Sequence, residues 1–140
     1  MPLHILKLCV GVEDAEMLKT LQKARLREED GLTFVPGFTR RRPRRAAEII
    51  EDGSIYWIIR GVIQVRQRIL DMVDAVDDDG SAYCQFRFEP ILVTVEPRAH
   101  RPFQGWRYLT ERDAPADNEG REGDEFPPEM AAELRFLGLL

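Results

Sequence analysis

Residues 54–71, SIYWIIRGVIQVRQRILD, constrain the fold more than any other stretch of the chain. The run is dense in isoleucine, valine, tyrosine and tryptophan, whose branched or aromatic side chains suit a pleated strand and crowd a helix. Gly61 divides it. Before the glycine, Ile55, Trp57 and Ile59 point one way and Tyr56, Ile58 and Arg60 the other. Both sets are mostly apolar, so this strand is expected inside a sheet that is covered on both faces. After the glycine, Ile63, Val65 and Ile69 are expected to face the core, with Gln67 as the exception. Val62, Gln64, Arg66 and Arg68 would then face outward. That outer face has two readings: an ordinary solvated surface, or a binding face armed with arginine.

A chain of 140 residues fits a single domain over 1–140. It can bury a core without disulfides or metal. No apolar run approaches the roughly 18 residues of a membrane span, so no membrane partner is expected. The opening MPLHILKLCV is interrupted by Lys7 and lacks a small-residue cleavage site, unlike a secretory signal. Cys9 and Cys84 lack metal-ligand spacing. No metal or cofactor is therefore expected, and two isolated thiols fit a cytoplasmic location.

The net charge of −5 is segregated along the chain. Residues 38–70 carry +5 and residues 97–112 carry +3, whereas residues 71–96 and 113–140 each carry −6. Every positive charge between residues 38 and 112 is an arginine. Arginine forks onto phosphate and stacks on bases, which lysine does poorly. The blocks can bind a polyanion, or they can neutralise one another within the fold.

In chain order, residues 3–10 read as a strand with Leu6, Leu8 and Val10 on one face. A helix is expected over 13–28, burying Met17, Leu18, Leu21 and Ala24. Its acidic start and basic end complement the helix dipole, and Asp30-Gly31 reads as its stop. Residues 32–42 are expected to be extended, with Pro36-Gly37 as a turn or bulge. Pro43, within RRRPRR, opens a short helix through residue 51 that buries Ile49 and Ile50. Asp52-Gly53 ends it. The strand after Gly61 runs to Val76 and turns at Asp77-Asp78-Asp79-Gly80. It returns with Ala82, Cys84, Phe86 and Phe88 inward and Tyr83, Gln85 and Arg87 outward, the chain's clearest hairpin. Ile91, Val93 and Val95 form another half-buried strand. Residues 98–109 read as a loop-rich block, in which Trp106 either stacks on a ligand or closes the core. Residues 113–126 read as a mobile acidic linker, before a last helix opening at Pro127-Pro128.

Candidate chemistry follows from these segments. Arg40, Arg41, Arg42, Arg44, Arg45, Arg66, Arg68, Arg101 and Arg107 would contact phosphates, and Tyr56, Trp57 and Trp106 would stack on bases. The aspartates at 77–79 lack the glycine and glutamate that a calcium loop needs. A triad of Ser54, His100 and an aspartate lacks the nucleophile-elbow sequence.

Four segments carry a resemblance: MPLHILKLCVGVED, GSIYWIIRGVIQVRQRIL, RPFQGWRYL with DAPAD after it, and ELRFLGLL. Together they resemble a family of short alphaproteobacterial proteins known as a domain of unknown function. The resemblance implies one compact bacterial domain and brings no site. In outline, a short helix followed by strands and a long hairpin is also similar to the curved barrels of the PUA, ASCH and EVE group. That likeness implies RNA or modified bases as ligands. The expected fold is α+β: a curved, mostly antiparallel sheet, PUA-like, with two or three helices. The expected function is non-enzymatic binding of RNA or a nucleotide by an arginine-rich face. The alternative is an enzyme or ligand sensor with a pocket between the sheet and the 98–109 loop. A homodimer is compatible with either.

Overall fold

In the computed structural model, which describes residues 2–118, the architecture is α+β. Ten elements follow in order: β1 (Leu3–Leu8), α1 (Ala15–Ala24), β2 (Arg27–Glu29), β3 (Leu32–Thr39), α2 (Ala46–Asp52), β4 (Ser54–Ile59), β5 (Val62–Val76), β6 (Ala82–Phe88), β7 (Val93–Ala99) and β8 (Trp106–Thr110). The strands form one sheet in the order β2-β3-β6-β5-β4-β1-β8, with β7 also on β5. Only β1 and β4 run parallel among the described pairs. The order is open, without a described pairing between β2 and β8 to close it into the small barrel expected.

The 54–71 stretch lies at the centre, as its two apolar faces require. Arg60 (φ 52°) and Gly61 (φ 78°) form the two-residue turn that folds β4 onto β5. Two successive residues at positive φ match the right-handed twist of the strands they join. The simple alternation expected after Gly61 does not hold. The register shifts between Trp57 and Ile58, so that Trp57 faces Val65 while Ile58 faces Ile63. One extra residue, Gln64, sits in β5, and a bulge of this kind turns its neighbours to opposite faces. Val65 joins Leu18, Val12 and Ile59, whereas Ile63 joins Leu6, Tyr56 and Val95. Val62 and Gln64, expected in solvent, are buried, and Gln64 donates to the Ile59 carbonyl at 3.0 Å. A second shift, between Ile69 and Asp71, bends β5 again.

Both helices lie on one face of the sheet. On α2, Ala46 and Ile49 pack with Leu3, Ile5, Ile55, Ile69, Phe86 and Phe88. On α1, Leu18 packs with Ile59 and Val65. The opposite face is covered by Phe103 and Ala114 from the loops after β7 and β8. The β5–β6 hairpin pairs as expected, Val76 with Ala82, and buries Cys84, Phe86 and Phe88, but Ala82 is exposed and Gln85, expected outward, is buried. Arg87 is buried as well, over the Phe34 ring at 4.5 Å and 3.0 Å from Glu29.

Several boundaries differ from expectation. α1 starts after Asp14, whose carboxylate caps the Met17 N–H at 2.7 Å, and ends at Ala24. Its buried positions are Leu18 and Gln22; Met17, Leu21 and Ala24 are exposed. Asp30-Gly31 is the β2–β3 turn, with Asp30 at φ 55° and Gly31 at φ 76°. β2 is exposed throughout and carries no apolar pattern to announce it. Val10, expected on a core face, is 90% exposed beyond the end of β1. Part of the 98–109 block is sheet: β8 pairs with β1, and Trp106 packs against the core beneath α2. The helix expected after Pro127-Pro128 lies outside the described residues.

Candidate functional site

The expected phosphate-binding arginines mostly serve the fold. Arg68 donates to the carbonyls of Gly53 (2.8 Å), Ile50 (2.6 Å), Glu51 (2.9 Å) and Ile69. It therefore caps the C-terminal end of α2, where helix carbonyls lack partners. Arg66 makes a forked pair with Asp117 at 2.7 and 2.8 Å and donates to Ser54 Oγ at 3.2 Å. Arg42 donates to the Met72 carbonyl at 2.8 Å, and Arg45 pairs with Glu48 and lies 5.7 Å from the centre of the Tyr108 ring. Arg107 stacks on Phe103 at 4.5 Å. Arg41, Arg44 and Arg101 are exposed and make no side-chain hydrogen bond or ion pair among the described residues. Of the expected stacking residues, Tyr56 is buried, while Trp57 and Trp106 are half-buried against the core. The two basic blocks meet along the sheet, where Val62 and Ile63 pair with Ala99 and Arg98, and at α2, where the Arg45 N–H donates to the Tyr108 hydroxyl at 3.2 Å.

A polar cleft of about 400 Å³ holds Arg66 and Arg68 together with His4, Ser54, Tyr56, Glu111 and Asp117. This cleft lies beside residues 111–117, whereas the alternative reading expected a pocket beside the 98–109 loop. Its groups satisfy one another. His4 Nδ1 accepts the Ser54 N–H at 2.9 Å, which places the ring proton on Nε2, 2.6 Å from Glu111. Ser54 Oγ is held by Arg66 and not by the imidazole, so the set lacks the nucleophile–base contact of acyl transfer. Burial pushes the Tyr56 hydroxyl up to about 12, so it stays neutral.

The Arg66–Asp117 pair also pins the first residues of the acidic segment, with Pro115 and Asn118 buried beside it. Residues 119–126 of that segment are outside the described part. The hydrogen bonds from Arg66 hold the Asp117 carboxyl below its ordinary value. A carboxyl lowered by folding stabilises the fold fully above its unfolded value, near pH 4, and that contribution is lost as pH falls through the folded value. Asp117→Asn should therefore flatten the acid limb of stability against pH. The change should be at most about 1 kcal/mol, because the pair is partly exposed. Urea melts at pH 7 and at pH 3 check this, and an unaltered acid limb would refute it.

The clefts in which cations outnumber carboxylates lie elsewhere. Two clefts meet at Phe38, a residue that is 63% exposed. The inner cleft, about 280 Å³, runs beneath α1 and is lined by Lys7, Arg25 and an aromatic wall of Trp57, Phe86 and Phe88. The outer cleft, about 320 Å³, is lined by Arg27, Arg40, Tyr83 and Gln85. Asp77, paired with Arg40 at 3.1 Å, is the only carboxylate on either lining among the described residues. Gly37 lets β3 pass close to Phe88, since a Cβ there would meet the ring at 2.5 Å. Tyr83 meets the Phe38 ring edge-on at 6.2 Å. The α1 side is locked by a glutamine pair: Gln22 and Gln67 exchange two hydrogen bonds, and the Trp57 indole donates to Gln67 at 3.1 Å. Burial pushes the Cys9 thiol up to about 11, so this rim residue is an unreactive thiol at neutral pH.

Of the residues expected from the sequence, Arg40 and Trp57 line these clefts. Phe38, Tyr83, Lys7, Arg25 and Arg27 were missed. An exposed phenylalanine in an otherwise ordinary strand was the one available signal, and only the fold shows which face it occupies. Neither a curated protein nor a solved structure matches the chain. A family model does match, over residues 5–140, and the chain belongs to that family, described as "Protein of unknown function (DUF1489)".

Proposed function

We propose that this protein is a non-enzymatic module that binds single-stranded RNA or its nucleotides at Phe38. The observation behind this reading is the exposed Phe38 ring at the junction of two clefts lined by Lys7, Arg25, Arg27 and Arg40, with one carboxylate between them. A base would stack on Phe38, a contact worth about 1–3 kcal/mol. Phosphates would lie against Arg27 and Arg40, and exposed Arg41 would extend the track. Arg66 and Arg68 have no part in this interface, because their donors are taken.

The test is a titration of labelled single-stranded RNA and DNA at several salt concentrations. With about three phosphate contacts, log K should fall against log salt with a slope near −2, at about −0.7 per contact. Phe38→Ala should weaken binding about tenfold or more without altering that slope. The paired change of Arg27 and Arg40 to glutamine should flatten the slope by about 1 to 1.5. Absence of binding at low salt, or full affinity in Phe38→Ala, would overturn the reading.

A further inference from the structure

The inner cleft has a second property that a stacking surface does not need. Its walls are apolar on three sides: Leu18 and Leu21 from α1, Trp57 and Ile55 from the sheet centre, and Phe86 and Phe88 from β6. Lys7 reaches into it from the helix-bearing face of β1, opposite Trp57 in the parallel register. Lys7 is half-buried and makes no hydrogen bond or ion pair among the described residues. Burial lowers its pKa, with no carboxylate beside it to reverse the effect. A partly desolvated ammonium without a counter-charge is unfavourable, and no acidic residue lines the cleft to supply one. Of the other polar side chains on the walls, Gln22 and Trp57 are committed to Gln67, and Arg25 is exposed. Half-buried Lys7, with exposed Arg25 as the other cation on the lining and no carboxylate there among the described residues, suits a single negative charge on an apolar body.

We propose that the cleft beneath α1 binds a small monocarboxylate with an apolar body, its carboxylate paired with Lys7 and its body against Trp57, Phe86 and Phe88. Arg25 at the mouth adds a second, solvated attraction. The volume, about 280 Å³, equals on the order of nine waters at about 30 Å³ each, which an acid of roughly ten heavy atoms would replace. This site goes beyond the nucleic-acid reading and stands without it, because the charge that defines it is Lys7 and not the arginines of the outer cleft.

Calorimetric titration with octanoate, and with octan-1-ol as the uncharged body of the same length, tests the site on the full chain. Octanoate should bind saturably at one site, about tenfold or more tighter than octan-1-ol, as a charge-assisted contact requires. Lys7→Met should remove that preference and Lys7→Arg should keep most of it. The paired glutamine change at Arg27 and Arg40 should leave octanoate binding intact even where it abolishes RNA binding, so the two readings fail separately. Equal binding of acid and alcohol by the native chain, no saturable octanoate binding, or unchanged octanoate affinity in folded Lys7→Met would each overturn the proposal. Should Lys7→Met not fold, the acid–alcohol comparison on the native chain decides alone.

Discussion

Gly53→Ala is expected to destabilise this protein by about 3 kcal/mol or more, beyond the usual range for one methyl group. Gly53 lies where α2 ends and β4 begins, and its N–H closes the helix onto the Ile49 carbonyl at 2.6 Å. Its backbone is extended, at φ −91° and ψ 162°, so conformational strain is not the cause. The cause is space. A Cβ there would lie 2.1 Å from the Leu3 carbonyl oxygen and 2.6 Å from that of Ile49. Both are backbone atoms of packed elements, and neither can swing aside as a side-chain tip can. Relief requires α2 to lift from β1, which opens the cluster of Leu3, Ile5, Ile49 and Ile55. Urea unfolding should show the loss, with a fall in melting temperature on the order of 10 °C for a domain of this size. A change below about 1 kcal/mol would mean that α2 is not seated on β1 as described.

Arg68→Gln is expected to cost about 2–4 kcal/mol, an uncommonly large effect for a partly exposed arginine. One guanidinium serves four carbonyls, those of Ile50 and Glu51 in α2, Gly53 after it and Ile69 in β5. Hydrogen bonds from a charged donor are worth about 1.5–3 kcal/mol each when made, and carbonyls left dry carry their own penalty. Water will reach some of them, which holds the total well below the sum. Glutamine is shorter and has two donors where arginine has five, so it cannot bridge helix and strand. Arg68→Lys should recover only part of the loss, because a single ammonium lacks the planar fork. Chemical denaturation of the three forms checks this, and stability within about 0.5 kcal/mol of the native chain in Arg68→Gln would refute it. Gly53 and Arg68 meet at one joint, through the Gly53 carbonyl, so their double change should deviate from additivity.

Arg68 also shows why the expected binding face moved. From sequence, alternate residues after Gly61 placed Val62, Gln64, Arg66 and Arg68 together on an outer surface. The charge asymmetry then made the arginines a phosphate track. Both steps treated β5 as a regular strand beside solvent. The bulge at Gln64 broke the alternation, and the loops after β7 and β8 covered the face it left. Acidic residues far along the chain completed the change: Asp117, 51 residues beyond Arg66, takes its fork. Neutralisation between the charge blocks, the plainer of the two initial readings, accounts for Arg66 and Arg40. Backbone carbonyls account for Arg68 and Arg42.

Legible along the chain were the strand-rich centre, a helix after the first strand though not its capped start, the short helix after Pro43 and the hairpin turning at residues 77–80. Each rests on neighbours close along the chain: alternation over a few residues, an acidic start and basic end along a helix, an Asp-Gly turn between apolar runs. Tertiary structure alone decided that β1 lies parallel to β4, that both helices share one face, and that Lys7, Arg25, Arg27 and Arg40 gather about Phe38. These cations come from β1, the end of α1, β2 and the end of β3, and apart from Arg25 and Arg27 they are distant from one another along the chain. Local sequence sets which residues alternate, cap or turn. Which distant side chains face each other depends on strand order and register, and in β5 a single inserted residue was enough to change it.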